Sequence, residues 1–124
     1  MLKRLDNIGI AVANARRSLE FYINVLGFDG EVSDGEGSCK LADVALYIFE
    51  SKTGGAVRRS TSYYDDPIGL DHLSFEVDDI EAAGPALETK GVIFEGGIVG
   101  EPGEFRYRGF KDPDGNMLYI IQHA

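Results

Sequence analysis

The chain has 124 residues, 44% of them hydrophobic, so it is long enough for one domain with a buried core and too short for two ordinary domains. Its formal net charge of −9 argues against binding to nucleic-acid phosphates, and no apolar run approaches the length of a membrane span. The single cysteine, Cys39, cannot form an internal disulfide and the first residues carry no secretory hydrophobic region, so we expect a cytoplasmic protein without a membrane partner.

An internal repeat divides the chain. Residues 5–12 (LDNIGIAV) and 70–77 (LDHLSFEV) share a Leu-Asp start, a closing Val, and an alternation of apolar residues with small or polar ones. Such alternation is typical of a strand with one face against a core. The first copy has Asn7 where the second has His72.

Each of these strands leads into a predicted helix. Asn14 and Asp79 suit the N-cap positions, and Gly27 and Gly91 stand where the helices should end. Both segments carry an apolar helical face, formed by Leu19, Tyr22, Ile23 and Leu26 in the first and by Ile80, Ala83, Gly84 and Leu87 in the second. Because Pro85 removes a backbone donor, we expect the second helix to be kinked or short.

Three strands are predicted after each helix. They cover residues 28–32, 38–41 and 44–49 in the first half, and residues 92–94, 105–110 and 117–122 in the second. The sequence DPDG at 112–115 favours a type I turn before the last strand. The predicted fold class is α+β, with two tandem βαβββ modules at about residues 1–50 and 70–124, a connector at 51–69, and a single domain over residues 1–124.

These motifs resemble the vicinal oxygen chelate superfamily, which groups glyoxalases, bleomycin-resistance proteins, fosfomycin-resistance enzymes and extradiol dioxygenases. The resemblance is carried by FYINVLGF at 21–28, LDHLSFEV at 70–77 and FKDPDGNMLYI at 110–120, and it covers nearly the whole chain. It implies two cupped mixed sheets, each with a helix on its outer face, that surround a cavity. It also implies that chains of this length pair as homodimers. The superfamily hosts enzymes and pure binding proteins, so the resemblance alone does not fix an activity.

The resemblance also bears on metal binding. Metal-dependent members hold a divalent ion with His, Glu, His and Glu side chains, and the matching positions here are Asn7, Tyr47, His72 and Tyr119. Only His72 matches, and a protonated phenol or an amide oxygen is a poor ligand for first-row divalent ions. The other candidate ligands are strand-end residues whose spacing resembles no known ligand set: Glu50, Glu76 and His123. We therefore expect no metal and no other cofactor.

The same positions suit an organic ligand better than an ion. Asn7, Tyr47, His72, Ser74 and Tyr119 offer aromatic faces and neutral hydrogen-bonding groups, which favour a planar or amphipathic small molecule. The alternative is that the two tyrosines fill the vacated space and plug the cavity.

The strand at 105–110 leaves a second choice open. Either its arginines, Arg106 and Arg108, or its aromatic residues, Phe105 and Tyr107, face the cavity. An inward arginine would select anionic ligands, and the alternation alone does not decide between the two sets.

Three functions follow as hypotheses. The first is a metal-free small-molecule-binding or sequestering protein, similar to the bleomycin-resistance branch. The second is a metal-dependent glyoxalase-like lyase or isomerase, which the fold and His72 support and the other three positions oppose. The third is a metal-free enzyme that uses His72 and a tyrosine as an acid–base pair. The predicted partners are a small organic ligand and a second copy of the chain.

Overall fold

The computed structural model describes residues 1–56 and 58–124, which form two compact units, Met1–Gly55 and Ala56–Ala124. The first unit contains strands β1 (Asn7–Val12), β2 (Asp29–Gly30), β3 (Glu36–Leu41) and β4 (Val44–Glu50), and helix α1 (Ala15–Glu20). The second contains β5 (His72–Glu76), helix α2 (Ile80–Thr89), β6 (Arg106–Lys111) and β7 (Met117–Gln122). The predicted α+β class is confirmed.

Both units have a mixed sheet with the same connection pattern. The strand order is β1-β4-β3-β2 in the first unit and β5-β7-β6 in the second. In each, the strand that begins the module lies parallel to the strand that ends it, and the remaining pairs are antiparallel. The repeat predicted from the sequence is therefore present in the topology as well.

One of the eight predicted strands is wrong. Residues 92–94 form no strand, and Phe94 makes only an isolated bridge to Phe110. The segment that follows is rich in glycine, and Gly96 and Gly100 have φ values of 125° and 101°. These angles are incompatible with a regular strand. Among the described residues, this segment therefore pairs with β6 only through isolated bridges, Phe94–Phe110 and Val99–Tyr107.

The helix boundaries follow the predicted caps. The Asn14 side chain accepts a hydrogen bond from the Arg17 amide, and the Asp79 side chain accepts from two amides in the first turn of α2. The α1 helix continues as a π-helical segment, Phe21–Val25, which the sequence pattern did not predict. No helix within the described residues is both long and apolar enough to cross a bilayer.

Of the two alternatives expected at Pro85, the shortening of α2 is wrong, and a kink stays a prediction. The helix runs through Pro85 to Thr89, and the Thr89 hydroxyl donates a 3.0 Å hydrogen bond to the Pro85 carbonyl. This bond satisfies the Pro85 carbonyl in the last turn of the helix.

The predicted connector divides between the units. From Ala56 onward its described residues belong to the second unit, where Tyr63–Asp65 form a short 3₁₀ helix. Val57 lies outside the described residues.

Each sheet has an outer face against its helix and an inner face opposite. In the first unit the outer face carries Val12, Leu46 and Ile48, all at most 2% exposed, and Leu19 of α1 packs close to it. A Cβ atom at Gly37 of β3 would lie 2.8 Å from Leu19 Cδ1, so glycine allows this close approach. On β1 the inner-face positions are exposed, as the alternation predicts.

We expect Gly37→Ala to destabilise the protein by about 1–3 kcal/mol, because Leu19 is fully buried and has little room to move. The matched control is Gly97→Ala, where an added Cβ meets nothing within 4 Å and should change the free energy of unfolding by about 0.5 kcal/mol at most. Chemical denaturation measures both, and equal stabilities would contradict the packing described for α1.

Candidate functional site

The register of the second sheet decides which side chains share its inner face. Ser74 pairs with Tyr119 across β5 and β7, and Gly109 and Tyr107 of β6 pair with Tyr119 and Ile121 of β7. Paired residues project to the same face. Tyr107 therefore lies on the inner face with Ser74 and Tyr119, and the arginines of β6 lie on the outer face.

The two arginines of β6 are tied to the outer side of the unit. Arg106 is 7% exposed and donates to Glu81 of α2 at 3.1 Å. Arg108 donates to the Gly96 carbonyl at 2.8 Å, and its guanidinium carbon lies 4.1 Å from the centre of the Phe94 ring. The choice that the sequence left open is thus decided in favour of the aromatic residues of β6.

The inner face of the second sheet lines a cavity of about 170 Å³. Its walls consist of Tyr63, His72, Ser74, Phe105, Tyr107, Tyr119 and Ile121. The rings are closely packed, with centroid distances of 4.7 Å for His72–Tyr119 and 5.7 Å for Tyr107–Tyr119. No lysine or arginine is among the described residues that line it. The cavity therefore presents flat aromatic surfaces with few polar atoms.

Tyr119 supplies one of those polar atoms. The residue is 3% exposed, and its hydroxyl has no hydrogen-bond partner among the described residues. Burial, and then the negative charge of Asp71, raise the pKa of Tyr119 to about 12, so the hydroxyl stays protonated at neutral pH. Gly109 leaves room for the ring, since a Cβ there would lie 3.0 Å from Tyr119 Cε1. The result is a protonated hydroxyl that is buried beside the cavity and has no partner among the described residues.

His72 supplies a second polar group. Contacts with Asp71, which itself contacts Arg59, fix the orientation of the imidazole ring. Its Nδ1 lies 2.7 Å from Asp71 Oδ2, and the other oxygen of Asp71 lies 3.5 Å from Arg59 Nη1. The Arg59 side chain is only 10% exposed and also donates to the Pro67 carbonyl. A chain of contacts from the predicted connector thus holds the imidazole against the cavity.

The predicted site residues of the first unit lie on the inner face of that unit's own sheet. The Asn7 amide donates to Asp6 at 2.9 Å, and this bond is the main cause that lowers the pKa of Asp6. The Tyr47 hydroxyl donates to Glu36, which raises the pKa of Tyr47, and its ring stacks on Phe49 at 5.3 Å. Unlike Tyr119, both side chains already have protein partners.

The structure therefore brings three of the five predicted residues together. His72, Ser74 and Tyr119 line one cavity, whereas Asn7 and Tyr47 belong to the other unit. Sequence reasoning missed Tyr63 and Asp71, although Asp71 precedes His72 directly. Tyr63 approaches the cavity from the connector, and a hydrogen bond with Tyr107 raises the pKa of Tyr63.

Comparison with known proteins gives this arrangement a family. The sequence matches the family model described as "Glyoxalase/Bleomycin resistance protein/Dioxygenase superfamily" over residues 4–120. The chain belongs to this superfamily. YaeR of Escherichia coli (strain K12) is 34% identical over 126 residues, which cover 98% of this chain and 97% of YaeR.

Solved structures show the same fold. A glyoxalase family protein from Enterococcus faecalis is 27% identical, with a TM-score of 0.76 and coverage of 96% of this chain and 97% of that chain. TnmS3, an antibiotic binding protein from Streptomyces sp. CB03234, is 22% identical, with a TM-score of 0.69 and coverage of 99% and 98%. At that identity the likeness to TnmS3 shows the fold alone. The glyoxalase-like fold predicted from the sequence is confirmed.

The side chains at the superfamily's metal positions do not fit a divalent ion. The Asn7 amide and the Tyr47 hydroxyl are engaged with neighbouring carboxylates, and the hydroxyl of Tyr119 holds its proton more firmly than a free phenol. His72 is left as a single imidazole ligand. Within the described residues, no group of three or more His, Cys, Asp or Glu side chains has an arrangement suited to a metal ion.

We expect Tyr119→Phe to raise the free energy of unfolding by about 1 kcal/mol, because it removes a buried hydroxyl that has no partner. Tyr64→Phe is the matched control, since Tyr64 is 93% exposed and its hydroxyl is solvated. Denaturant titrations of the three proteins measure the difference. A clear loss of stability in Tyr119→Phe would show that the hydroxyl makes a bond in the folded protein.

Proposed function

We propose that the protein is a metal-free small-molecule-binding or sequestering protein of the glyoxalase/bleomycin-resistance type, with its ligand against the inner sheet face of the second unit. The observation that carries this proposal is the Tyr119 hydroxyl, buried without a partner in the wall of an aromatic cavity. A buried polar atom of this kind costs stability unless something bonds to it, and a bound ligand would do so.

The chemistry of the cavity supports a ligand rather than an ion. Concave, mostly apolar sites with a few well-placed polar groups are typical of small-molecule binding. The name of TnmS3 shows that this fold can serve antibiotic binding, which supports the proposal by analogy. The donors at the metal positions are too few and too weak for a lyase or isomerase that depends on a divalent ion.

Three further parts of the proposal rest on the superfamily. We propose that residues 1–124 act as one domain, that two copies pair as a homodimer, and that Asn7 and Tyr47 also contact the ligand. A cytoplasmic location stays a prediction from the sequence.

Metal content tests the first part of the proposal. Untagged, dialysed protein should carry close to no metal per chain by mass spectrometry, before and after incubation with nickel, zinc, manganese or ferrous iron. About one tightly held ion per chain would contradict the proposal. The His72→Ala variant serves as a control, because metal that survives this change is bound elsewhere.

Ligand binding tests the second part. A library of planar aromatic compounds should yield binders by calorimetry. Ser74→Phe should abolish their binding, because the added ring fills the cavity. Ser74 is exposed, so the fold should tolerate the larger side chain. Tyr64→Phe is the control and should bind as the unchanged protein does. Equal binding by Ser74→Phe would place the ligand outside this cavity.

A second candidate function is a metal-free acid–base enzyme. The observation that favours it is the 2.7 Å contact of Asp71 with His72, since a carboxylate on Nδ1 leaves the other ring nitrogen to act as a base. The probe is 5-nitrobenzisoxazole, which a base opens to a coloured nitrophenolate. A rate that survives chelator and is lost in His72→Ala would favour the enzyme, and equal rates for both proteins would favour binding alone.

A further inference from the structure

We infer that the cavity of the second unit selects uncharged planar ligands that carry a hydrogen-bond donor beside a hydrogen-bond acceptor, as the edge of a cyclic amide does. In this arrangement His72 accepts, Tyr119 donates, and Asp71 is the positioning residue for His72. The inference rests on the proposed function, because it assumes that the cavity binds a small molecule.

The acceptor is set by the contact between Asp71 and His72. A carboxylate has only acceptor sites, so the proton between Asp71 Oδ2 and His72 Nδ1, which are 2.7 Å apart, belongs to the imidazole. In the neutral ring the proton on Nδ1 leaves Nε2 as an acceptor. Since His72 lines the cavity, that acceptor is available to a ligand.

Arg59 keeps Asp71 in place. Its Nη1 lies 3.5 Å from Asp71 Oδ1 and also donates to the Pro67 carbonyl, and a Cβ at Gly69 would come within 3.1 Å of its other terminal nitrogen. The guanidinium is therefore held by its surroundings as well as by the carboxylate. A carboxylate fixed in this way can impose one tautomer on His72.

The donor lies beside the acceptor. The rings of His72 and Tyr119 meet edge to face with centroids 4.7 Å apart, so a ligand that contacts one ring also lies close to the other. The Tyr119 hydroxyl is protonated, almost inaccessible to solvent and without a partner among the described residues. A ligand carbonyl that displaces the rings around this hydroxyl can accept its proton in a hydrogen bond. A site built to bond both groups should reject an analogue that lacks either.

The charges around the cavity exclude anionic ligands. Arg106 and Arg108 point to the outer face and are paired there, and no cationic side chain is among the described lining residues. Behind the wall the carboxylate of Asp71 contacts His72, and the Arg59 guanidinium is already paired with that carboxylate. The aromatic walls favour a flat ring system, which completes the ligand class.

Three bicyclic aromatic probes of similar size separate the two hydrogen bonds. 2-Quinolone carries an N–H beside a C=O, N-methyl-2-quinolone keeps only the carbonyl, and naphthalene has neither. We expect the affinity, measured by calorimetry, to fall in that order by about tenfold to a hundredfold at each step.

Two variants assign each step to a residue. Tyr119→Phe should remove the difference between N-methyl-2-quinolone and naphthalene, and Asp71→Asn should remove the difference between 2-quinolone and its N-methyl form. The control variants, Tyr64→Phe and Asp78→Asn, change exposed residues outside the cavity wall. They should leave both affinity differences between the probes unchanged.

Nitrogen NMR provides a readout that a merely structural role of Asp71 would not move. In the unchanged protein at neutral pH the proton of His72 should reside on Nδ1, and in Asp71→Asn it should move to Nε2. A His72 with its proton on Nε2, or on both nitrogens, would overturn the inference even if the affinities followed the expected order.

The outcomes also separate this inference from the proposed function. Equal affinity of the unchanged protein for all three probes would overturn the inference. The same holds if none of the probes binds while other compounds of the library do, and in both cases the proposed function stands. If no compound of the library binds, the inference and the proposed function fail together.

Discussion

The second unit depends on β7 being buried on both faces. Met117, Leu118, Tyr119 and Ile120 are all at most 3% exposed, because β7 lies between β5 and β6 and also contacts α2. A strand in this position must be apolar on both sides or must satisfy its polar atoms. Every residue of this run obeys that rule except Tyr119, whose hydroxyl is left without a partner. The candidate site lies at the one residue of this run that departs from the requirement.

The repeat explains why the two inner faces differ although their topology agrees. In the first unit the polar groups of Asn7 and Tyr47 are satisfied by neighbouring carboxylates, and the face is largely exposed. In the second unit the connector before β5 contributes Tyr63 and the loop before β6 contributes Phe105, and both line the equivalent face. The sequence therefore carries one scaffold twice, and in the second copy the connector and loop residues add walls to a cavity on the inner face.

Much of the fold could be predicted from the sequence because it rests on local rules. The caps at Asn14 and Asp79 and the last strand at Met117–Gln122 follow from residue type and from periods of 3.6 and 2, which act over a few neighbours. A strand was predicted at 92–94 because the apolar residues there are typical of a strand, and the structure has none. Whether residues 92–94 pair with a neighbouring strand depends on the φ angles of the glycines that follow. Residue type alone does not determine those angles.

The site was predicted less completely, because it is built from contacts between distant segments. His72, Ser74 and Tyr119 could be found from strand parity and from the superfamily pattern, but Arg59 and Tyr63 come from a connector with no periodicity. The orientation of β6 was a different case. Pairing the strands directly across the four-residue turn at 112–115 would place Gly109 opposite Leu118 and Tyr107 on the outer face. In the structure the Asp112 amide donates to the Asn116 carbonyl, and the register is shifted by one residue so that Gly109 lies opposite Tyr119.

Replacing metal ligands by tyrosines changes the kind of recognition that the fold can support. A divalent ion attracts any ligand with suitable oxygen atoms, and its charge acts over a distance. A hydroxyl and an imidazole instead act through short, directional bonds, which reward a ligand that matches both and penalise one that leaves either buried group unpaired. Such a site is more selective than a metal ion but attracts ligands less strongly over a distance. Without a ligand, its unpaired polar group lowers the stability of the folded protein. This cost is the physical reason to regard the unpartnered hydroxyl of Tyr119 as part of a binding site: a side chain present only to fill the core could be phenylalanine, with equal volume and without the unpaired polar atom.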